Sequence, residues 1–319
     1  MKLALAGDTM LGRGVGESIS RDAGQSLVAP EVLAAAAEAD VFLLNLECCI
    51  SGRGERWPDP HKPFFFRAPP EAAELLAGFG VDCVTLANNH ALDFGRDALL
   101  DTLDYLRQAG IASVGAGPTL AEARAPAVLT TPAGTLGVAA FADHPADFAA
   151  GPDSAGIAYA DVAREGVPGW LLSGLRELDA DVTLVSPHWG PNMAAEPRPH
   201  VLRTAAALLD AGATLVAGHS AHVFQGVAGR VLYDLGDFLD DYAVDAELRN
   251  DLGLLFLLTL DGQDLHELQA LPLKLEYCYT RSATPEEAAW IAHRFRSACA
   301  AFGTEVAEQD GRLVIHYSK

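Results

Sequence analysis

The chain has 319 residues, 50% hydrophobic and 20% charged, enough apolar material for a large core in one large domain or two ordinary ones. Its formal net charge of −21, from 22 Lys+Arg against 43 Asp+Glu, argues against non-specific binding to nucleic acid or an anionic membrane, and no Lys/Arg run exceeds a residue or two. The five cysteines, Cys48, Cys49, Cys83, Cys278 and Cys299, contain no C-x-x-C pair and do not read as a disulfide framework.

Leu3–Ala6 reads as a short buried strand ending at Gly7-Asp8. The apolar stretch is too short for a signal sequence or a membrane span and ends in a charge, so a cytoplasmic chain with no membrane span is expected. Glu31–Glu38 is Ala-rich and helical, and Val41–Asn45 is a second apolar strand running into Glu47. A Gly/Arg/Pro loop, Ser51–Asp59, precedes Pro63–Phe66. Pro70–Gly78 reads as a helix, and Asp82–Ala87 as a third strand ending at Asn88-Asn89-His90. Gly95–Gln108 is an amphipathic helix stopped by Gly110. Strands follow at Ile111–Val114, Ala127–Thr131 and Leu136–Phe141, then a loop at His144–Tyr159. Trp170–Leu178 is a helix, Asp181–Ser186 a strand leading to His188, Val201–Ala211 a helix and Thr214–Ala217 a strand ending at Gly218-His219. Val227–Leu235 reads as a hairpin around Gly229-Arg230, Leu252–Leu260 as an apolar strand and Leu271–Tyr279 as an alternating one. Thr284-Pro285-Glu286 opens a helix to Ala301, and short strands at Thr304–Ala307 and Leu313–His316 close the chain.

A βαβ beginning followed by hairpin-rich β implies an α/β fold in one domain over 1–319, with 261–319 a less certain C-terminal extension. Two packed sheets with helices outside, an αββα sandwich, fit this order. A doubly wound sheet is the rival, but no strand is followed by G-x-G-x-x-G.

Six stretches put metal-type ligands at predicted strand ends: Gly7-Asp8, Asn45-Leu46-Glu47, Asn88-Asn89-His90, Pro187-His188-Trp189, Gly218-His219-Ser220-Ala221-His222 and Gly236-Asp237-Phe238. Oxygen and nitrogen donors without thiolate suit two divalent ions, Mn, Fe or Zn, in a hydrolase. Asp8 reads equally as a ligand or a helix N-cap. Glu47, ending a buried run, needs a partner, either a metal or an arginine such as Arg13 or Arg67. Asn89 offers a neutral oxygen ligand. His90, one residue on, points the other way off an extended backbone, toward substrate, where it protonates a leaving oxygen or binds developing charge. A lone His188 reads as a core residue, and His219 with His222 shifts the balance toward a metal. Of the acidic run Asp237, Asp240, Asp241 and Asp245, Asp237 is placed at the site and the others in solvent. Arg13, His61, Arg67 and Trp189 are the candidates for substrate contact, whereas His266, His293 and His316 read as structural or surface residues.

Together, Gly7-Asp8-Thr9-Met10-Leu11-Gly12-Arg13-Gly14, Asn45-Leu46-Glu47, Ala87-Asn88-Asn89-His90 with Asp93-Phe94-Gly95, His188-Trp189-Gly190, Gly218-His219-Ser220 to Gln225 and Leu232-Tyr233-Asp234-Leu235-Gly236-Asp237-Phe238 resemble the bacterial capsule-synthesis CapA proteins, also called poly-γ-glutamate biosynthesis proteins. That family looks like a branch of the calcineurin-like metallophosphatases. The resemblance implies the four-layer αββα sandwich of the metallo-dependent phosphatase type and a two-metal centre. It implies Asp8 on one metal, Glu47 between the metals, Asn89, His188 and the pair His219 and His222 as further ligands, and His90 as the catalytic histidine. Met10 stands where phosphatases place a histidine, with Asp237 the candidate replacement, and His219 and His222 are three apart where phosphatases space them two apart. The implied activity is metal-dependent hydrolysis of phosphate mono- or diesters in a small-molecule or polymer substrate, with amide hydrolysis open to the same ligands. The alternative is an accessory or binding role in synthesis of a poly-γ-glutamate-type capsule polymer.

Overall fold

Lys2–Thr9 is buried along all but its first residue, because strands pack on both of its edges and apolar side chains on both of its faces. In the computed structural model residues 1–22 and 24–317 are described. Among them this strand runs through the middle of a ten-stranded sheet. On one side lie Val41–Leu46, Cys83–Thr85 and Ala112–Val114, each parallel to its neighbour. On the other side Leu252–Asp261, Asp264–Glu276 and Arg312–His316 run antiparallel in turn. The two halves look different in sequence for a physical reason. The parallel strand VFLLNL is buried at every position, whereas Asp264–Glu276 alternates between buried and partly exposed positions.

A second sheet of six strands centres on Val182–His188, which lies parallel to both Gly134–Ala142 and Leu215–Ala217. Its side chains divide by alternation. Val138, Ala140 and Leu184 join the main core with Leu3, Leu5 and Leu43 of the first sheet. Ala139, Phe141 and Val185 point the other way, against Leu171 and Leu175 of helix Gly169–Glu177 and Val201, Ala205 and Leu208 of helix Pro199–Asp210. Each fully buried Leu or Phe of this kind stabilises by about 1.5–3 kcal/mol.

Departures from the sequence expectations have local causes. Arg13–Arg21 is a helix although two glycines lower its propensity; the burial of Val15 and Ile19 holds it. The strand expected from Leu271 begins at Asp264. Asp237–Leu239 is a strand of its own, parallel to Lys2–Thr9, where Gly236-Asp237-Phe238 was expected to follow the end of the Val227–Leu235 hairpin. None of the described helices is long and apolar enough to cross a membrane.

The site is positioned by strand direction. Lys2–Thr9, Val41–Leu46 and Cys83–Thr85 are parallel, so their ends gather at one edge, in register as Asp8 with Asn45 and Asn45 with Thr85. Val182–His188 and Leu215–Ala217 are likewise parallel, and His188 bridges to His219 just beyond them.

Candidate metal centre

Asp8 is placed by a close backbone approach. A side chain on Gly7 would meet the Gly236 carbonyl oxygen at 1.8 Å, and the Asp8 amide donates to that oxygen at 2.8 Å. Only glycine allows this contact, which brings Asp237 alongside Asp8. The Asp8 carboxylate accepts from Asn45 Nδ2 at 2.7 Å. Asn45 Oδ1 in turn accepts from Thr85 Oγ1 at 2.9 Å and Asn88 Nδ2 at 3.0 Å, so buried amides and a hydroxyl fix the floor of the site.

Two groups of possible metal ligands result, and Asp8 belongs to both: Asp8 with His188 and His219, and Asp8 with Glu47 and His222. Asp8 Oδ1 lies 3.6 Å from His219 Nδ1, and Oδ2 3.3 Å from His222 Nδ1. Glu47 also spans the groups, with Oε1 4.0 Å from His188 Nε2 and Oε2 3.9 Å from His222 Nδ1. Both histidines of the Gly218–His222 loop thus reach the cluster despite their spacing. The turn is made by two non-glycine residues at positive φ, Ser220 (119°) and His222 (59°), a conformation that costs roughly 1 kcal/mol or more each and persists where surrounding contacts enforce it.

Asp237 is buried, and its Oδ1 accepts from His222 Nδ1 at 2.8 Å. Met10 is buried with its sulfur accepting from the Gly12 amide at 3.0 Å, turned to the backbone. Asn89 is held through its carbonyl, which accepts from Lys62 Nζ at 2.7 Å. His90 Nδ1 donates to Asp93 Oδ2 at 2.6 Å, an acceptor-only carboxylate, which leaves Nε2 as the free ring nitrogen. Lys62 Nζ lies 3.0 Å from the other Asp93 oxygen.

The substrate-side candidates separate. Arg13 is exposed at the site's edge, ion-paired with Asp241 and 5.0 Å over the Phe66 ring, and that ring lies 4.1 Å from His90. Arg67 lies 4.2 Å over Phe94. His61 is on an exposed turn, its amide donating to Asp59. Trp189 is not brought to the site. It is 2% exposed in the second core, with Nε1 donating to the Tyr233 carbonyl at 2.9 Å, because the alternation that sends His188 inward sends Trp189 to the other face.

Several site residues did not stand out in the sequence. Asp234 and Asp240 are buried, where Asp240 was expected in solvent. Tyr242 donates to Glu47 Oε2 at 3.1 Å. His144, expected in an unassigned loop, lies 5.2 Å from the His188 ring and donates to Asp143. The signal for Asp93 and Tyr242 was position: each lies a few residues beyond a ligand stretch.

The electrostatics are those of crowded, dehydrated charge. Burial raises the carboxyls of Asp8, Glu47, Asp234 and Asp237, the last three well above the usual range, with mutual repulsion adding to all but Asp8. Burial pushes Asp240 up to about 6. It pushes His90 down to about 4 and His219 to about 3, and holds His188 well below normal. Burial opposes protonation of His222 too, but Glu47 and Asp8 outweigh it and raise this histidine. Four ligand-type atoms, Glu47 Oε1, Asn89 Oδ1, His188 Nε2 and Asp237 Oδ2, are buried without a hydrogen-bond partner. Unpaired buried carboxylates are costly, and neutral imidazole nitrogens and amide oxygens are what a divalent cation binds, so the residues fit a metal.

The family described as bacterial capsule synthesis protein PGA_cap matches residues 2–242. A probable polyglutamine synthesis accessory protein of Mycobacterium tuberculosis is 33% identical over 298 residues, covering 86% of this chain and 76% of its own length. The PGA biosynthesis protein CapA of Bacillus subtilis is 27% identical over 249 residues, covering 76% of this chain and 63% of its own length. A crystal structure of a hypothetical protein from Thermus thermophilus superposes with a TM-score of 0.52 at 16% identity, covering 86% of this chain and 99% of that one, a likeness of fold alone. On the match across residues 2–242 and the mycobacterial relative, this chain belongs to the bacterial capsule synthesis PGA_cap family.

Proposed function

We propose that this protein is an accessory protein in the synthesis of a poly-glutamate-type capsule polymer, and that it acts there through a dinuclear metal centre with hydrolytic chemistry. The names of its relatives support the first half. The observation that carries the second is the buried cluster in which Asp8 and Glu47 each reach both histidine groups while four ligand-type atoms lack partners. Asp8, His188, His219 and Asn89 would hold one ion, and Asp8, His222 and Asp237 the other, with Glu47 between them. Such ions supply a water acidified to near neutral pH. His90 presents its free Nε2 with Asp93 fixing the tautomer, suited to meeting the charge that develops on a leaving oxygen. A phosphate mono- or diester is the substrate class such a centre serves most directly.

The same reading takes the two sheets with their outer helices as a four-layer αββα sandwich, supported by the division of side chains between the two cores. It takes the chain as one domain, supported by the pairing of Asp264–Glu276 with Leu252–Asp261 and by Phe295 and Ile315 in the main core.

The test is elemental analysis of the purified protein combined with hydrolysis of nitrophenyl phosphate esters. Near-stoichiometric transition metal is expected, with hydrolysis reduced about 10²–10⁴-fold in His90→Ala while metal content is unchanged. Absence of bound metal after loading with Mn, Fe or Zn would sink the metal centre. Metal without ester hydrolysis would leave the accessory role without phosphoesterase chemistry.

A further inference from the structure

A cavity of about 580 Å³ is bounded by helix Pro285–Ala300 on one side and by the segment Ala195–Pro197 on another. Small-molecule sites run from roughly 300 to 1,000 Å³. Neither His90 nor any of the candidate metal ligands lines it, so the cavity stands apart from the function proposed above. Trp290 and Phe302, both partly buried, and Leu202, which is exposed, give it apolar walls. The lining also holds one partly buried cation. Arg294 lies 5.2 Å over the Phe224 ring and 5.5 Å over Trp290, and its Nη1 donates to the Leu248 carbonyl. Its Nη2 is buried with no hydrogen-bond partner. Burial pushes the pKa of this guanidinium down, and no carboxylate offsets the effect. Other arginines nearby are compensated: Arg249 pairs with Asp251 and Arg296 with Glu308. Two acids share the lining, Glu196 and Glu247. Both are exposed, and among the described residues neither pairs with Arg294.

We propose that this cavity is a binding site for a small organic monoanion, an apolar or aromatic body carrying one carboxylate, with the carboxylate on Arg294 and the body against Trp290, Phe302 and Leu202. Each part of that class answers to a feature of the lining. A dehydrated guanidinium without a counter-charge is costly, and a carboxylate that meets it makes a charge-assisted bond. The two rings fix the guanidinium in place, so little freedom is lost when the anion arrives. An inorganic anion would leave the apolar walls unfilled. A second negative charge would face Glu196 and Glu247, and the overall charge of −21 repels a polyanion at a distance.

The experiment is isothermal titration calorimetry of the full chain with naphthoate, with its neutral amide and with a naphthalene dicarboxylate, before and after chelator treatment. The parent protein should bind naphthoate at a single site, the amide at least about tenfold more weakly, and the dicarboxylate more weakly than naphthoate. Chelation should leave this binding unchanged, which separates the cavity from a carboxylate held at the metal cluster. Arg294→Met should lose at least about tenfold in affinity for naphthoate and bind the amide as the parent does. Ser297→Trp, which adds a ring to the cavity wall from an exposed position, should weaken both ligands while keeping Arg294. Arg296→Ala, which removes an exposed arginine from the same helix, should bind as the parent does. The proposal is overturned if the parent does not bind naphthoate, if the amide or the dicarboxylate binds as tightly, if Arg294→Met binds naphthoate as well as the parent, if Arg296→Ala loses as much, or if binding disappears with chelation. A parent that sediments as a dimer and becomes monomeric in Ser297→Trp would also overturn it, by giving the cavity to a second copy of the chain.

Discussion

Asp240 is 6% exposed, with Oδ1 accepting from the Tyr242 amide at 2.8 Å and Oδ2 unpartnered. Burial raises its carboxyl to about 6, so between about pH 4 and pH 6 the folded state keeps a proton that the unfolded state has released. Stability contributed by this group therefore falls as pH rises through that window. Asp240→Asn keeps the acceptor for the Tyr242 amide and removes the titration. In metal-free protein, its stability relative to the parent should improve between pH 4 and pH 7 by on the order of 2 kcal/mol, measured by urea denaturation at each pH. A difference that does not change with pH would mean Asp240 is ionised throughout. The residue was misplaced in the sequence reading because Asp237, Asp240, Asp241 and Asp245 look like one solvated acidic run. What buries Asp240 is the pairing of Asp237–Leu239 with a strand more than 200 positions earlier, which no local pattern carries. Asp8, Glu47, His188 and Asp237 were legible because each ends an apolar run.

Among elements, the helix Pro285–Ala300 was readable to within a residue. Thr284 accepts from the Glu287 amide and the Glu287 carboxylate accepts from the Thr284 amide, a capping box followed by Pro at the first turn. The ion pair with Arg281 holds the Glu287 carboxyl down at about 2. Thr284→Ala should lower stability by about 1 kcal/mol without changing bound metal, since the cap lies in the C-terminal segment away from the ligands. A loss below a few tenths of a kcal/mol in denaturant unfolding would show that packing of Ile291 and Phe295 in the core alone sets this helix. Arg13–Arg21 makes the contrast. Its first four residues include Gly14 and Gly16 and it has no side-chain cap, so the local sequence argues against it and only tertiary burial decides.

For the molecule as a whole, the candidate metal cluster lies where two sheets meet. Asp8 and Glu47 come from the end of the ten-stranded sheet, and His188 and His219 from the end of the six-stranded one. The α/β alternation made a layered fold legible, and the ligands' places at strand ends made their convergence legible. The sequence could not show which sheet each strand joins, because pairing is decided by contacts distant along the chain. Since ligands from both sheets share each ion in the proposed centre, metal should stabilise the interface between the sheets as well as the site. Ions that bind the folded state alone stabilise it by about 2.7 kcal/mol at a free concentration a hundredfold above Kd, which for a chain of this size raises Tm by a few degrees. Removing metal with a chelator should lower Tm by that amount, and adding Mn, Fe or Zn should restore it. Asp8→Asn, which weakens a ligand of both groups, should melt near the chelated parent and respond little to added metal. The buried carboxyls must release their protons to bind a cation, so the metal-induced rise in Tm should grow from pH 5 to pH 7. Equal Tm with and without metal at pH 7, in a protein shown by elemental analysis to hold the ion, would mean that the ion binds the unfolded chain as well as the folded one and does not depend on the two sheets being brought together.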